Sequence, residues 1–449
     1  IFCLCNKRLI MIICNEIKSR EKLFSLTSVK KQHNSISKDK MMLKVQDLMV
    51  NILQSYFKQQ NPETIKQIFL TKDSAQHNIR ELIYTRVFPN FSTFQLFLTY
   101  LTGCPHQGQK PIFLLSSIHY IILYISSLIL GIGIGWWFFI SKLYLLLPLA
   151  WIITLGAVAG CNLGLIHQAS HLQLTRRKIV DFWIGRILSA IIITVGFDDY
   201  TVGHRYHHRP ATHQTDLDNT LLILQAMDFK PGLPVAKYWQ CLWKLVDPLF
   251  MGRFFLTRLM KSFVTNSLIS KYLTWLIWLS IAILVAITHN WLPFTVSYLV
   301  PVLILYPPIY ILRYTVEHKA PSQEIIQKRN KLYIALSTDA VFLGEAPPEE
   351  DLMGLSKFLA WSGWWSRMLF WHGLIRWLVC PADVPVHDYH TRMAGHPRED
   401  WPNALWHRQR QQDAGCPGWP ILYTEQWGFI TGMNEVFESF SNLPQDYDF

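Results

Sequence analysis

Three histidines stand in the run Gly203-His204-Arg205-Tyr206-His207-His208. This HxxHH spacing puts all three imidazoles on one face of a helix. An HxxxH pair, His167 and His171, lies upstream at the end of a long apolar stretch, and a further pair, His387 and His390, lies far downstream. Neutral imidazole is a good ligand for iron, zinc and copper. A lone HxxxH at a helix end often does no more than meet headgroups. Packed imidazoles are different, because they repel one another once protonated and need a compensating ligand. Three such clusters beside apolar segments point to a metal-dependent oxidation chemistry set against lipid. His33, His77, His106, His119, His213, His289, His372 and His407 lack this spacing and are read as structural.

The elements that must position these clusters are membrane spans. Of 449 residues, 50% are hydrophobic and only 16% charged, against about 25% charged in soluble domains. No Asp, Glu, Lys or Arg occurs between Lys110 and Lys142, between Lys142 and Arg176, or from Tyr272 to Leu312. A span takes roughly 20 apolar residues, so these blocks predict four: about 115–139, 143–166, 271–288 and 293–313. The run Thr288-His289-Asn290-Trp291-Leu292-Pro293 supplies the turn between the last two. The fold class expected is therefore an all-α integral membrane protein. Its four transmembrane helices carry a cytoplasmic helical cap that holds a histidine-rich metal site.

Sidedness follows from charge. The net charge is +11, but the inter-span loops carry almost none of it: Lys142 alone after the first span, and nothing after the third. Lys and Arg crowd the N-terminal region, residues 176–271 and the C-terminal region. The positive-inside rule then places both termini and all histidine clusters on the cytoplasmic side. This distribution suits a membrane surface better than nucleic acid. An even number of crossings separates the clusters, as convergence on one site requires.

Other segments are read more briefly. Residues 1–41 are expected to be a basic, disordered tail or non-native extension, with Met41 or Met42 as the start. Residues 42–110 form an N-terminal helical region packed on the membrane face of the core, 111–430 the catalytic domain, and 431–449 a C-terminal tail. Residues 179–197 and the Trp-rich 358–380 are expected to lie at the headgroup level, since Arg367 and Arg376 would be costly in lipid. Gly131, Gly133 and Gly135 are read as helix-packing positions rather than a nucleotide loop. The eight cysteines contain no CxxC pair, which argues against zinc ribbons and iron–sulfur clusters. No Glu is followed three residues later by His, which removes the Glu-x-x-His pattern of soluble di-iron bundles.

At this point the chain resembles the membrane fatty acid desaturase superfamily, which also holds hydroxylases, ketolases and alkane oxygenases. The matching residues are His167-Gln-Ala-Ser-His171, His204-Arg-Tyr-His207-His208, Arg313-Tyr-Thr-Val-Glu317-His318 after the fourth span, and His387-Asp-Tyr-His390. The likeness spans roughly residues 110–430. It implies a di-iron (Fe) cofactor held by His167, His171, His204, His207, His208, His318, His387 and His390. Asp199, Asp216, Asp218 and Glu317 are the expected acceptors for imidazole N–H groups. It implies an oxygen-dependent fatty-acyl desaturase acting on an acyl lipid, acyl-CoA or acyl-carrier substrate, with membrane lipids around it and no nucleic acid. Electrons would come from a ferredoxin or a small haem protein, because the chain has no haem, flavin or nicotinamide signature of its own. A lipid hydroxylase or carotenoid ketolase is the alternative within the superfamily. One departure stands out: the third box usually reads HxxHH, and here Thr391 follows His390. A water, or His396, would then fill one position, or the chain would be a non-catalytic homologue that keeps the fold.

Overall fold

The computed structural model describes residues 79–396 and 399–447. The expected tail at 1–41, the possible starts at Met41 and Met42, His33, His77 and the first part of the N-terminal region lie outside them. Four helices are long and apolar enough to cross a membrane: Ser117–Ile140, Tyr144–Ser170, Leu268–Ile287 and Trp291–Glu317. They coincide with the four charge-poor blocks. The first and third are only 22% and 17% buried, whereas the second and fourth are 56% and 39% buried. The difference assigns roles. Spans one and three turn Ile122, Ile129, Leu130, Leu276, Leu279 and Leu284 outward, while spans two and four form the interior.

Spans two and four run in the same direction, so their C-terminal ends share a side. Asn162 donates to the Tyr306 hydroxyl at 2.9 Å and Trp151 to the Val296 carbonyl at 2.9 Å, tying the two together. Span two ends in a π-helical stretch, Cys161–Ile166, directly before His167. Such bulges re-phase the side chains that follow them and are frequent at functional sites. Small residues set the helix spacing. A Cβ added to Gly131 would sit 2.5 Å from Thr154 Oγ1 and one on Gly135 3.0 Å from the Ser297 Cβ, whereas Gly133 faces open space. Two of the three alternating glycines are therefore packing positions.

Outside the spans, helices cover the histidine-bearing end. Within the stretch expected at the headgroup level, residues 178–191 form a helix, with Ile179 and Trp183 exposed and Leu188 and Ala190 buried. Residues 354–378 form one long helical stretch, Gly354–Ser366, Arg367–His372 and Gly373–Leu378. Trp364 and Met368 on it pack with Leu98 and Leu101 of helix Ser92–Thr102. The structure is mostly helical, as expected, with two features that the sequence reading did not include. Strands β1 (Ala340–Phe342) and β2 (Glu425–Trp427) pair in parallel; three-residue strands are too short to show a period of two. The region read as a C-terminal tail holds the helix Phe429–Ser441, whose Phe429, Met433, Phe437 and Phe440 are buried.

Tyr124 links the membrane core to the cap. Its ring fills the space over Gly160, where a Cβ would come within 2.1 Å of the ring carbons, and its hydroxyl accepts from the Ala382 amide at 3.0 Å. Because the ring is held at both ends, Gly160→Ala is expected to destabilise the detergent-solubilised protein by about 1–3 kcal/mol. Gly133→Ala, with nothing within 4 Å of the new methyl, is expected to change little. Thermal unfolding of the two variants beside the parent checks this.

Candidate metal centre

The second box lies on helix Phe197–His208, and its i, i+3, i+4 spacing turns His204, His207 and His208 toward one region. Gly203 allows this helix to press on the Asn219 amide, where a Cβ would lie 2.0 Å from its nitrogen. The first box enters from the end of span two. Glu317 closes span four, and His318 follows in extended backbone. The third box sits on helix His387–Met393, whose Asp388 is clamped from behind by the buried Arg408 at 2.9 Å.

Two groups of side chains result. In the first, His167, His171, His204, His208 and His390 bring one ring nitrogen each within 4.8 Å of the others. His171 Nε2 and His208 Nε2 lie 2.9 and 3.0 Å from His204 Nε2, and His390 Nε2 lies 3.2 and 3.3 Å from those of His171 and His208. His167 Nε2 is buried without a hydrogen-bond partner. In the second, His207, Glu317, His318 and His387 converge within the same limit. His318 Nε2 is 2.9 Å from His207 Nε2.

The outer nitrogens of these rings have partners of their own. Asp218 Oδ1 lies 3.0 Å from His207 Nδ1. That carboxylate is itself fixed by the backbone amides of Thr220 and Gln214, each at 2.9 Å. Glu399 Oε1 lies 2.7 Å from His390 Nδ1, and its other oxygen accepts from the Gly395 amide at 3.1 Å. Gly395 has φ 68°, a left-handed turn that brings Glu399 back over the box. Thr338 Oγ1 lies 2.9 Å from His318 Nδ1. Tyr200 stacks on His204 at 5.1 Å between ring centroids.

Electrostatics divide the rings. Burial, then repulsion from neighbouring imidazoles, holds His171, His204, His208 and His318 well below the ordinary histidine range. They are neutral and offer lone pairs. At His207 burial also opposes the charge, but Asp218 and then Glu317 overcome it and raise the pKa to about 10. Positive charge is thus favoured where two carboxylates flank the ring, and a metal ion at Nε2 would supply it.

The donor set fits a metal pair. Two imidazoles at right angles on a divalent ion, with bonds of about 2.0–2.1 Å, lie about 2.9 Å apart. The nitrogen separations of 2.9 to 3.3 Å are of that size. All eight expected histidines enter the two groups. The four expected acceptors divide: Asp218 and Glu317 touch the site, whereas Asp199 and Asp216 are exposed and contact none of its histidines. Thr391 turns aside, its hydroxyl donating to the His387 carbonyl at 2.8 Å. His396 is exposed and belongs to neither group. Reading by spacing passed over Glu399, Thr338 and His213. His213 sits against His207 and His318, at 5.4 and 4.5 Å between ring centroids, and forms a third group with His207 and Asp218. Its Nδ1 lies 2.7 Å from the Tyr333 hydroxyl. Its place five residues beyond the second box was the available signal.

Removing an acceptor that orients a metal-binding imidazole costs about 10–100-fold in metal affinity. Glu399→Gln and Asp218→Asn are each expected to show that loss, and Asp199→Asn and Asp216→Asn none. Metal retention against a graded chelator measures it.

Residues 142–376, more than half of the chain, match the model of a family described as fatty acid desaturase. That match takes in the first two boxes and Glu317-His318 and ends before the third box. An sn-1 oleoyl-lipid 12-desaturase from Arthrospira platensis is 33% identical over 88 residues, 20% of this chain and 24% of that protein. A protein of the same description from Anabaena variabilis is 31% identical over 88 residues, with the same coverage. The chain thus aligns with about a quarter of the length of these curated relatives. No solved structure matches it.

Proposed function

The chain belongs to the fatty acid desaturase family, and from that premise we propose that it is a membrane-bound fatty-acyl desaturase. It introduces a C=C bond into the acyl chain of a membrane lipid, using dioxygen and electrons from an external donor. The observation that carries this reading is the convergence of eight imidazoles into two adjoining groups at the ends of spans two and four. The residues that would hold iron are His167, His171, His204, His208 and His390 in one group, and His207, His318 and His387 in the other. A di-iron centre, when bound, supplies the oxidising power from dioxygen that hydrogen removal from an unactivated methylene needs.

The chain's own residues do the rest. Asp218, Glu399 and Thr338 set ring orientation from the outer side. Burial keeps water away from the reacting carbon, since His167, His207, His318, His387 and His390 are all buried. Spans two and four carry the site at their ends, so an acyl chain reaches it from the bilayer without crossing bulk water. We place the metal site and both termini on the cytoplasmic side, where a ferredoxin or small haem protein docks on the basic surface and its encounter rate falls with salt.

Expression in a host with defined lipids tests the reading. The parent is expected to yield a lipid lacking two hydrogens, and His204→Ala and His208→Ala none, with all three proteins retained in the membrane. Purified parent should hold about two irons per chain and His207→Ala clearly fewer. A product gaining one oxygen instead would move the assignment to a hydroxylase. Undiminished desaturation by either alanine variant would overturn the metal-site reading.

A further inference from the structure

Glu317 occupies a different position from the other site carboxylates. Asp218 and Glu399 each meet the outer nitrogen, Nδ1, of a ring whose Nε2 points inward. Glu317 meets the inward nitrogens themselves. Its Oε1 lies 3.1 Å from His387 Nε2, 3.6 Å from His207 Nε2 and 3.9 Å from His318 Nε2. For two of those rings the outer nitrogen is already engaged, by Asp218 at His207 and by Thr338 at His318. An acceptor that orients a ligand sits behind the ring, whereas an atom among three inward nitrogens stands where a ligand stands.

Three further observations agree. Glu317 is buried, and its Oε2 has no hydrogen-bond partner. Its Oε1 accepts from Arg313 Nη2 at 2.6 Å, one turn earlier on the same span; ligating carboxylates are themselves hydrogen-bonded in this way. The second group has three imidazoles where the first has five, and Thr391 does not reach it. A carboxylate brings that set to four donors and adds a negative charge that a neutral ring does not supply.

We propose that Glu317 is a direct metal ligand, so that the two half-sites are chemically unlike: one of five imidazoles, the other of His207, His318, His387 and an arginine-braced carboxylate. This rests on the metal-centre reading above and adds to it a specific asymmetry. The harder, more anionic half-site stabilises the higher oxidation state of its ion, so the pair would differ in spectrum even when both are filled.

Cobalt(II) and iron(II) loading of the detergent-purified, metal-stripped protein tests it. The parent is expected to take up about two equivalents of Co(II), with two resolvable visible bands, and to give two unlike Mössbauer doublets with iron. Glu317→Gln keeps the shape but is a poor metal donor, and is expected to saturate at about one equivalent with one band and one doublet lost. Glu317→Asp is expected to recover part of the second equivalent. An acceptor role alone would weaken affinity by about 10–100-fold yet still permit two equivalents at saturation. If Glu317→Gln saturates with two and keeps both doublets, the ligand assignment falls while the metal centre stands. If the folded parent binds neither metal, the centre itself falls, and this assignment with it. Unchanged elution and tryptophan fluorescence of Glu317→Gln separate lost ligation from lost fold; should it misfold, Glu317→Ala takes its place, and two unchanged doublets there overturn the proposal.

Discussion

Everything in this molecule depends on holding imidazole nitrogens closer together than uncompensated lone pairs or protonated rings would stay. Eight inward nitrogens and one carboxylate meet in two groups, with neighbouring nitrogens at 2.9 to 3.3 Å. Such a cluster is unfavourable by itself, because burial denies the rings water and proximity denies protons to most of them. The surrounding fold must supply the constraint. Spans two and four do so by running parallel and by being joined at Asn162 and Tyr306, a few residues below the first box. The helix carrying the second box is set by Gly203 against Asn219, and that carrying the third by the Arg408–Asp388 pair.

The membrane makes this arrangement economical. Spans one and three remain largely lipid-facing, so the covering they give the inner pair need not be extensive. Small residues then permit close approach where spans one, two and four meet, at Gly131, Gly135 and Gly160. Lipid tails give helices no hydrophobic reason to associate, and contact packing has to do it. Tyr124 shows how far this coupling extends. One ring fills the gap over Gly160 within the span region and, through its hydroxyl, fixes the backbone at Ala382, five residues before the third box.

What was legible in the sequence is what has a period or a composition. The spans showed as charge-free blocks, and the boxes as imidazoles three and four apart. Chain-distant partners show neither. Glu399 reaches His390 from nine residues on, with Gly395 in a left-handed turn between them, and Thr338 reaches His318 across twenty residues. Among the acids near the second box, nothing in spacing separates Asp216 from Asp218. The difference is that backbone amides of Gln214 and Thr220 hold Asp218 inward. The short parallel strands were equally silent, since three residues carry no alternation to read. Thr391, which in the sequence threatened the third box, proves to be a helix-facing side chain bonded to its own turn, and the eight histidines converge without it.

The charge distribution sets the two groups apart: the first has one carboxylate, Glu399, behind His390, whereas the second has Glu317 among its rings and Asp218 behind His207. His207 lies between Asp218 on its outer side and Glu317 on its inner side, and it belongs to the group that has fewer rings. A divalent ion among the five rings would have its positive charge offset only indirectly, by Glu399 behind His390. An ion among three neutral donors and one carboxylate, with a second carboxylate behind, has most of that charge cancelled locally. Arg313 restores part of it and fixes the carboxylate to span four, so the electrostatics of the second group are tied to that helix. Two metals set side by side in such unlike surroundings would differ in how readily each gives up an electron.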